Sequence, residues 1–100
     1  MNGNAPPPGY RGERIEDLVI NRSRECAEKH GDFASPHEAY SVIFEEVCEY
    51  FDEVRKKDLD RSKVRMIREL VDIAAAATRY AVQLAEELDH EVTEAEVRNA

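Results

Sequence analysis

Five acidic side chains in two clusters carry the chemistry that this sequence offers. Glu45-Glu46-x-x-Glu49 and Glu69-x-x-Asp72 lie on either side of a basic linker, within strongly helical sequence. On a helix, residues three or four apart share a face, so each cluster presents two or three carboxylates in one direction. If the two segments pack antiparallel, four carboxylates converge. Like charges at such range repel strongly unless a cation shares the site. The spacing points to a divalent metal.

The elements that must position these acids are helices. Ser35-Pro36-His37-Glu38 is a helix start, with Ser at the cap, Pro in the first turn and Glu placed to close a capping box. It predicts a helix from Pro36 to about Lys56. Tyr40, Ile43, Phe44, Val47, Tyr50, Phe51 and Val54 form its apolar stripe. Glu45, Glu46, Glu49 and Glu53 gather on another side, with Glu46 nearest the apolar border. No basic residue interrupts the acids before Arg55, as a merely solvated face would require.

Arg55 to Arg61 is a charged connection, after which Asp60 or Ser62 can cap a helix running to about Leu88. Its apolar positions include Val64, Ile67, Leu70, Val71, Ala74, Ala75, Ala81, Val82 and Leu84. The run Ala74 to Ala77 has no bulk, so another helix can approach closely. Glu69 and Asp72 flank Leu70 and Val71, and a carboxylate buried there needs a partner.

Upstream, Ile15, Leu18, Val19, Arg22 and Cys26 recur at helical spacing over Glu13 to His30, and Gly31 is a stop. Phe33 is placed to pack beneath the corner that follows. Thr93-Glu94-Ala95-Glu96 opens a short terminal helix with a second capping box. The expected fold is all-α: two long antiparallel helices, one medium and one short. Residues 1–11, with prolines at Pro6 to Pro8, read as a tail, and 12–100 as one helical domain. So short a chain leaves apolar faces that a homodimer or homotetramer would cover.

Composition excludes some functions. With 14 basic and 22 acidic residues the net charge is -8, which argues against nucleic acid or an anionic membrane as partner. No apolar run is long enough to span a bilayer and no signal peptide is visible, so a cytoplasmic location is expected. Cys26 and Cys48 then read as reduced thiols, and without histidines at ligand spacing they make no zinc site.

The pattern Glu45-Glu46-Val47-Cys48-Glu49, nineteen residues (50–68), then Glu69-Leu70-Val71-Asp72, resembles the signature of the all-α nucleoside triphosphate pyrophosphohydrolases. The likeness extends from Ser35 to about Val82, and a single-domain MazG-like protein is the nearest branch. The resemblance implies Mg²⁺, with Mn²⁺ as a substitute, held by Glu46, Glu49, Glu69 and Asp72. Glu46 and Glu49 would then be catalytic, with Glu45 beside them orienting a ligand or helping to deprotonate water. The implied reaction cleaves a nucleoside triphosphate, the small-molecule partner, between its α and β phosphates. Lys56, Lys57, Arg61, Arg65, Arg68 and Arg79 are candidates for the substrate phosphates.

The chain departs from the family where an asparagine or lysine is common, having an alanine-rich stretch followed by Arg79. Ile43-Phe44 replaces the glycine that precedes the paired glutamates of the phosphoribosyl-ATP enzymes, and the chain is too short for the duplicated dUTPase architecture. The competing reading is a non-catalytic helical module that binds a partner, a nucleotide or a metal. Burial separates the two, since ligand carboxylates must face across the bundle.

Overall fold

The computed structural model describes residues 12–100, and all regular structure among them is helical. The tail expected at 1–11 lies outside the described residues. The elements are α1 (Gly12–His30), α2 (Pro36–Val54), a single 3-10 turn (Asp58–Asp60), α3 (Lys63–Glu86) and α4 (Glu94–Arg98). Among the described residues no helix is long and apolar enough to cross a membrane.

Local chemistry sets the boundaries. α1 stops at Gly31, whose φ of 70° is a left-handed conformation and whose N–H reaches the Ala27 carbonyl at 2.8 Å. Ser35 caps α2, its Oγ accepting the Glu38 N–H at 3.1 Å. The Glu38 carboxylate reaches back to the N–H of Ala34 at 3.2 Å, one residue earlier than a capping box prescribes. Ser62, not Asp60, caps α3, and Thr93 with Glu96 forms the full reciprocal box of α4. α2 and α3 each end two residues before the expected Lys56 and Leu88. α1, with 19 residues, equals α2 in length rather than being intermediate.

α3 is the central element. Along α2 the partners on α3 run in the opposite sense: Glu53 meets Ser62, and Glu49 meets Glu69. Along α1 they run in the same sense: Arg22 meets Asp72, and Cys26 meets Arg79. α2 is therefore antiparallel to α3 and α1 parallel to it. α1 and α2 both pack on α3 but not on each other, and α4 packs on none of the three.

The buried apolar side chains are few: Phe33, Ala39, Val71, Ala75 and Ala76. Phe33 anchors the α1–α2 corner. Its ring meets Tyr80 edge-on at 5.4 Å, with the Arg79 guanidinium 3.9 Å above it. The buried Gln83 side chain accepts the Phe33 N–H at 2.7 Å and donates to its carbonyl at 2.8 Å. Both backbone groups of a buried loop residue are thereby satisfied.

The α2–α3 connection is pinned by Glu53. Expected on the acidic face, Glu53 is instead buried, accepting from Lys56 Nζ and from the Ser62 N–H, each at 2.8 Å. The Lys56 hydrogen bond, then that of Ser62, holds its carboxyl below the usual range. Arg61 completes the turn by donating to the Val54 carbonyl at 2.7 Å and to Asp58 at 2.6 Å.

α2 presents to α3 the seam Ala39, Val42, Glu46, Glu49 and Glu53, spaced three and four residues apart. Such positions ordinarily hold apolar residues. Of the bulky stripe expected to be core, Tyr40, Phe44, Val47 and Phe51 are exposed, with the Tyr40 and Phe44 rings stacked at 6.0 Å, while Ile43, Tyr50 and Val54 are half-buried. On α3 and just after it, Ile67, Leu70, Leu84 and Leu88 are exposed as well. Several large apolar side chains lie outside while the carboxylates of Glu53 and Glu69 are buried.

Candidate metal centre and the cleft beside it

Glu46 and Glu49, one turn apart on α2, meet Glu69 from α3, and one carboxylate oxygen from each lies within 4.8 Å of the others. Glu69 is buried, Glu46 half-buried and Glu49 exposed at the rim. Glu69 Oε1 accepts from Arg68 at 3.1 Å. Its second oxygen, and Oε2 of Glu46, are buried with no hydrogen-bond partner among the described residues. Orphaned buried carboxylate oxygens are costly.

The carboxyls of Glu46 and Glu49 reflect that cost. Burial first, then the charges of Glu49 and Asp72, push the Glu46 carboxyl up from its ordinary 4.5 to about 7. Burial and the Glu69 charge raise Glu49 as well. The donor set fits a cation. Hard carboxylate oxygens from two rigid helices, one edge open to solvent, suit Mg²⁺ or Mn²⁺.

Of the other residues read from sequence, Asp72 lies close enough for its charge to raise Glu46, but its Oδ1 accepts from Arg22 Nε at 3.2 Å. Glu45 is exposed and stands outside the triad. Among the basic candidates, Lys56 and Arg61 are engaged in the α2–α3 turn, and Arg68 pairs with Glu69. Arg79 donates to the carbonyls of Cys26 and Gly31 at 3.4 and 3.3 Å. Lys57 and Arg65 are exposed.

A cleft of about 370 Å³ opens beside the acids because α1 and α2 do not touch. Ala75 and Ala76 floor it, Glu46 and Asp72 stand at one side, and Phe33 with Arg79 belongs to its corner region. The alanine run thus serves two purposes: both flanking helices rest on α3, and a gap remains between them. The volume falls within the range of small-molecule sites.

Sequence reasoning missed Arg22 and Gln83. The signal for Arg22 was present, since it interrupts the apolar spacing of α1 at a position facing the bundle. Gln83 had no such signal; its role depends on a loop fifty residues away. Comparison with family models, with curated proteins and with solved structures finds no match for this chain.

Proposed function

We propose that this protein is a divalent-metal-dependent nucleoside triphosphate pyrophosphohydrolase of the MazG-like kind. One observation carries the reading: three carboxylates from antiparallel helices converge within 4.8 Å, two of them with buried, unpartnered oxygens. Solvated acids would spread apart, and structural ones would be paired, as Glu53 is. Glu46, Glu49 and Glu69 would hold the cation, with Asp72 contributing charge from the next turn of α3. When bound, the cation supplies charge neutralisation at the phosphates and lowers the pKa of the attacking water. Water adds to phosphorus, the α–β bridging bond breaks, and nucleoside monophosphate and pyrophosphate leave. The adjoining cleft offers the space for the rest of the nucleotide, and its arginines the counter-charge. Glu45, outside the triad, is left an accessory role. A free nucleotide as substrate, and the strongly acidic surface, favour work in the cytoplasm on small molecules rather than on nucleic acid.

The test is pyrophosphate release from a panel of canonical and modified nucleoside triphosphates with Mg²⁺ or Mn²⁺. Glu49→Gln and Asp72→Asn are assayed alongside. Activity that survives both substitutions refutes the metal assignment. No turnover of any nucleotide moves the protein to the rival reading, a non-catalytic binding module.

The outward stripe of α2 supports the second part of the proposal, a homodimer, with α3 offering a further face for a tetramer. Tyr40, Phe44, Val47 and Phe51 recur every three to four residues, the pattern of a helix seam without its partner. We expect the chain to sediment as a dimer at micromolar concentration. The double substitution Phe44→Asp and Phe51→Asp should give a monomer, the dimer weakening by roughly a hundredfold or more. An unchanged mass in the variant would remove these residues from the interface.

A further inference from the structure

We infer that Arg22 is a phosphate ligand held in reserve, paired with Asp72 in the cation-free protein and released to the triphosphate once a cation screens Asp72. The inference rests on the reading of the acidic cluster as a cation site and adds a residue from outside the two acidic motifs.

The position of Arg22 is the first argument. It sits on α1 at the helical spacing of Ile15, Leu18, Val19 and Cys26, and it lines the cleft beside Glu46 and Asp72. The second is how loosely it is held. Nε alone donates, to Asp72 at 3.2 Å; Glu25 lies at 4.0 Å, and neither Nη group makes a hydrogen bond among the described residues. The guanidinium fork that matches phosphate is therefore uncommitted. With half the side chain exposed, breaking such a pair costs little.

Two other arginines near the site already have partners. Arg68 is paired with Glu69, and Arg79 is fixed by two carbonyls and the Phe33 ring. Charge points the same way: Arg22 pairs with Asp72 and Arg68 with Glu69, so Arg22 partly neutralises the acids. A divalent cation duplicates that service, and the incoming triphosphate brings negative charge of its own toward the same end of the cleft.

Two calorimetric titrations of the full chain test this, for the wild type, Arg22→Gln and Arg22→Lys. The probes are Mn²⁺ alone, then inorganic tripolyphosphate at saturating Mn²⁺. In Arg22→Gln, Mn²⁺ should bind about three- to tenfold more tightly because a competing cation is gone. Tripolyphosphate should bind about tenfold or more weakly, for want of a charge-assisted pair. Arg22→Lys keeps the charge without the fork, so its Mn²⁺ affinity should match the wild type while tripolyphosphate affinity recovers in part. Equal weakening of both probes in Arg22→Gln would mark a merely structural residue and overturn the inference. So would two unchanged affinities while the wild type binds Mn²⁺. A wild type that binds no Mn²⁺ refutes the cation site itself, and the inference with it.

Discussion

Substituting Gln for Glu46 is expected to abolish pyrophosphate release while making the metal-free protein more stable at alkaline pH. Both effects follow from one geometry. Glu46 is half-buried against Glu49, Glu69 and Asp72, and its carboxyl is raised to about 7. The folded state therefore keeps a proton that the unfolded chain, with a carboxyl near 4.5, has lost. Stability from this group is present below about 4.5 and is lost as pH rises toward 7. A glutamine has the shape of the protonated acid and cannot ionise. The variant should melt with the wild type at pH 4.5, and on the order of 5 °C higher at pH 8 in the presence of a chelator. Its affinity for Mn²⁺ should fall roughly a hundredfold, because one anionic ligand becomes neutral. Thermal scans at the two pH values check the first half, and assay of pyrophosphate the second. A variant less stable than the wild type at pH 8 would mean that Glu46 is paired for stability, like Glu53.

The second large effect concerns the scaffold. Phe33→Ala should cost about 3 kcal/mol, the usual range for emptying a buried aromatic site. The ring is 5% exposed, and it supports Tyr80 and the Arg79 guanidinium together. Gln83→Leu should cost about 2 kcal/mol by another route, leaving the N–H and carbonyl of Phe33 without partners. A domain of this size has only about 5–15 kcal/mol of stability. With so few buried apolar side chains, either change should lower the urea midpoint clearly and widen the cleft. A loss below about 1 kcal/mol for Phe33→Ala would show that the corner relaxes without its ring.

The helices and their starts were legible because their causes are local. Ser35, Ser62 and Thr93 each cap from within three residues, and Gly31 stops α1 through its own backbone. The convergence of Glu46, Glu49 and Glu69 was also legible, since helical phase and an antiparallel hairpin suffice to bring them together. The direction of the apolar stripe was not. Tyr40, Phe44, Val47 and Phe51 satisfy every periodicity rule for a core, and only the docking of α2 on α3 shows that Ala39, Val42 and three glutamates take the inner seam. Glu53 looked like another member of the acidic face until the turn after α2 brought Ser62 beneath it. The basic candidates suffered most from proximity along the chain. Lys56 and Arg61 sit near the acids in sequence, but the turn uses them, whereas Arg22 reaches the site from α1. The cleft itself depends on α1 and α2 both choosing α3, which a five-residue loop does not dictate.

The central proposal is that Glu46, Glu49 and Glu69 together hold a cation, and one titration tests it directly. Mn²⁺ is added to the wild-type chain at pH 6 by calorimetry, in two buffers of different ionisation heat. The account predicts saturable binding near one ion per chain, with close to one proton released for each ion bound, because Glu46 is protonated at that pH. Absence of saturable binding, or binding that releases no proton, would contradict it.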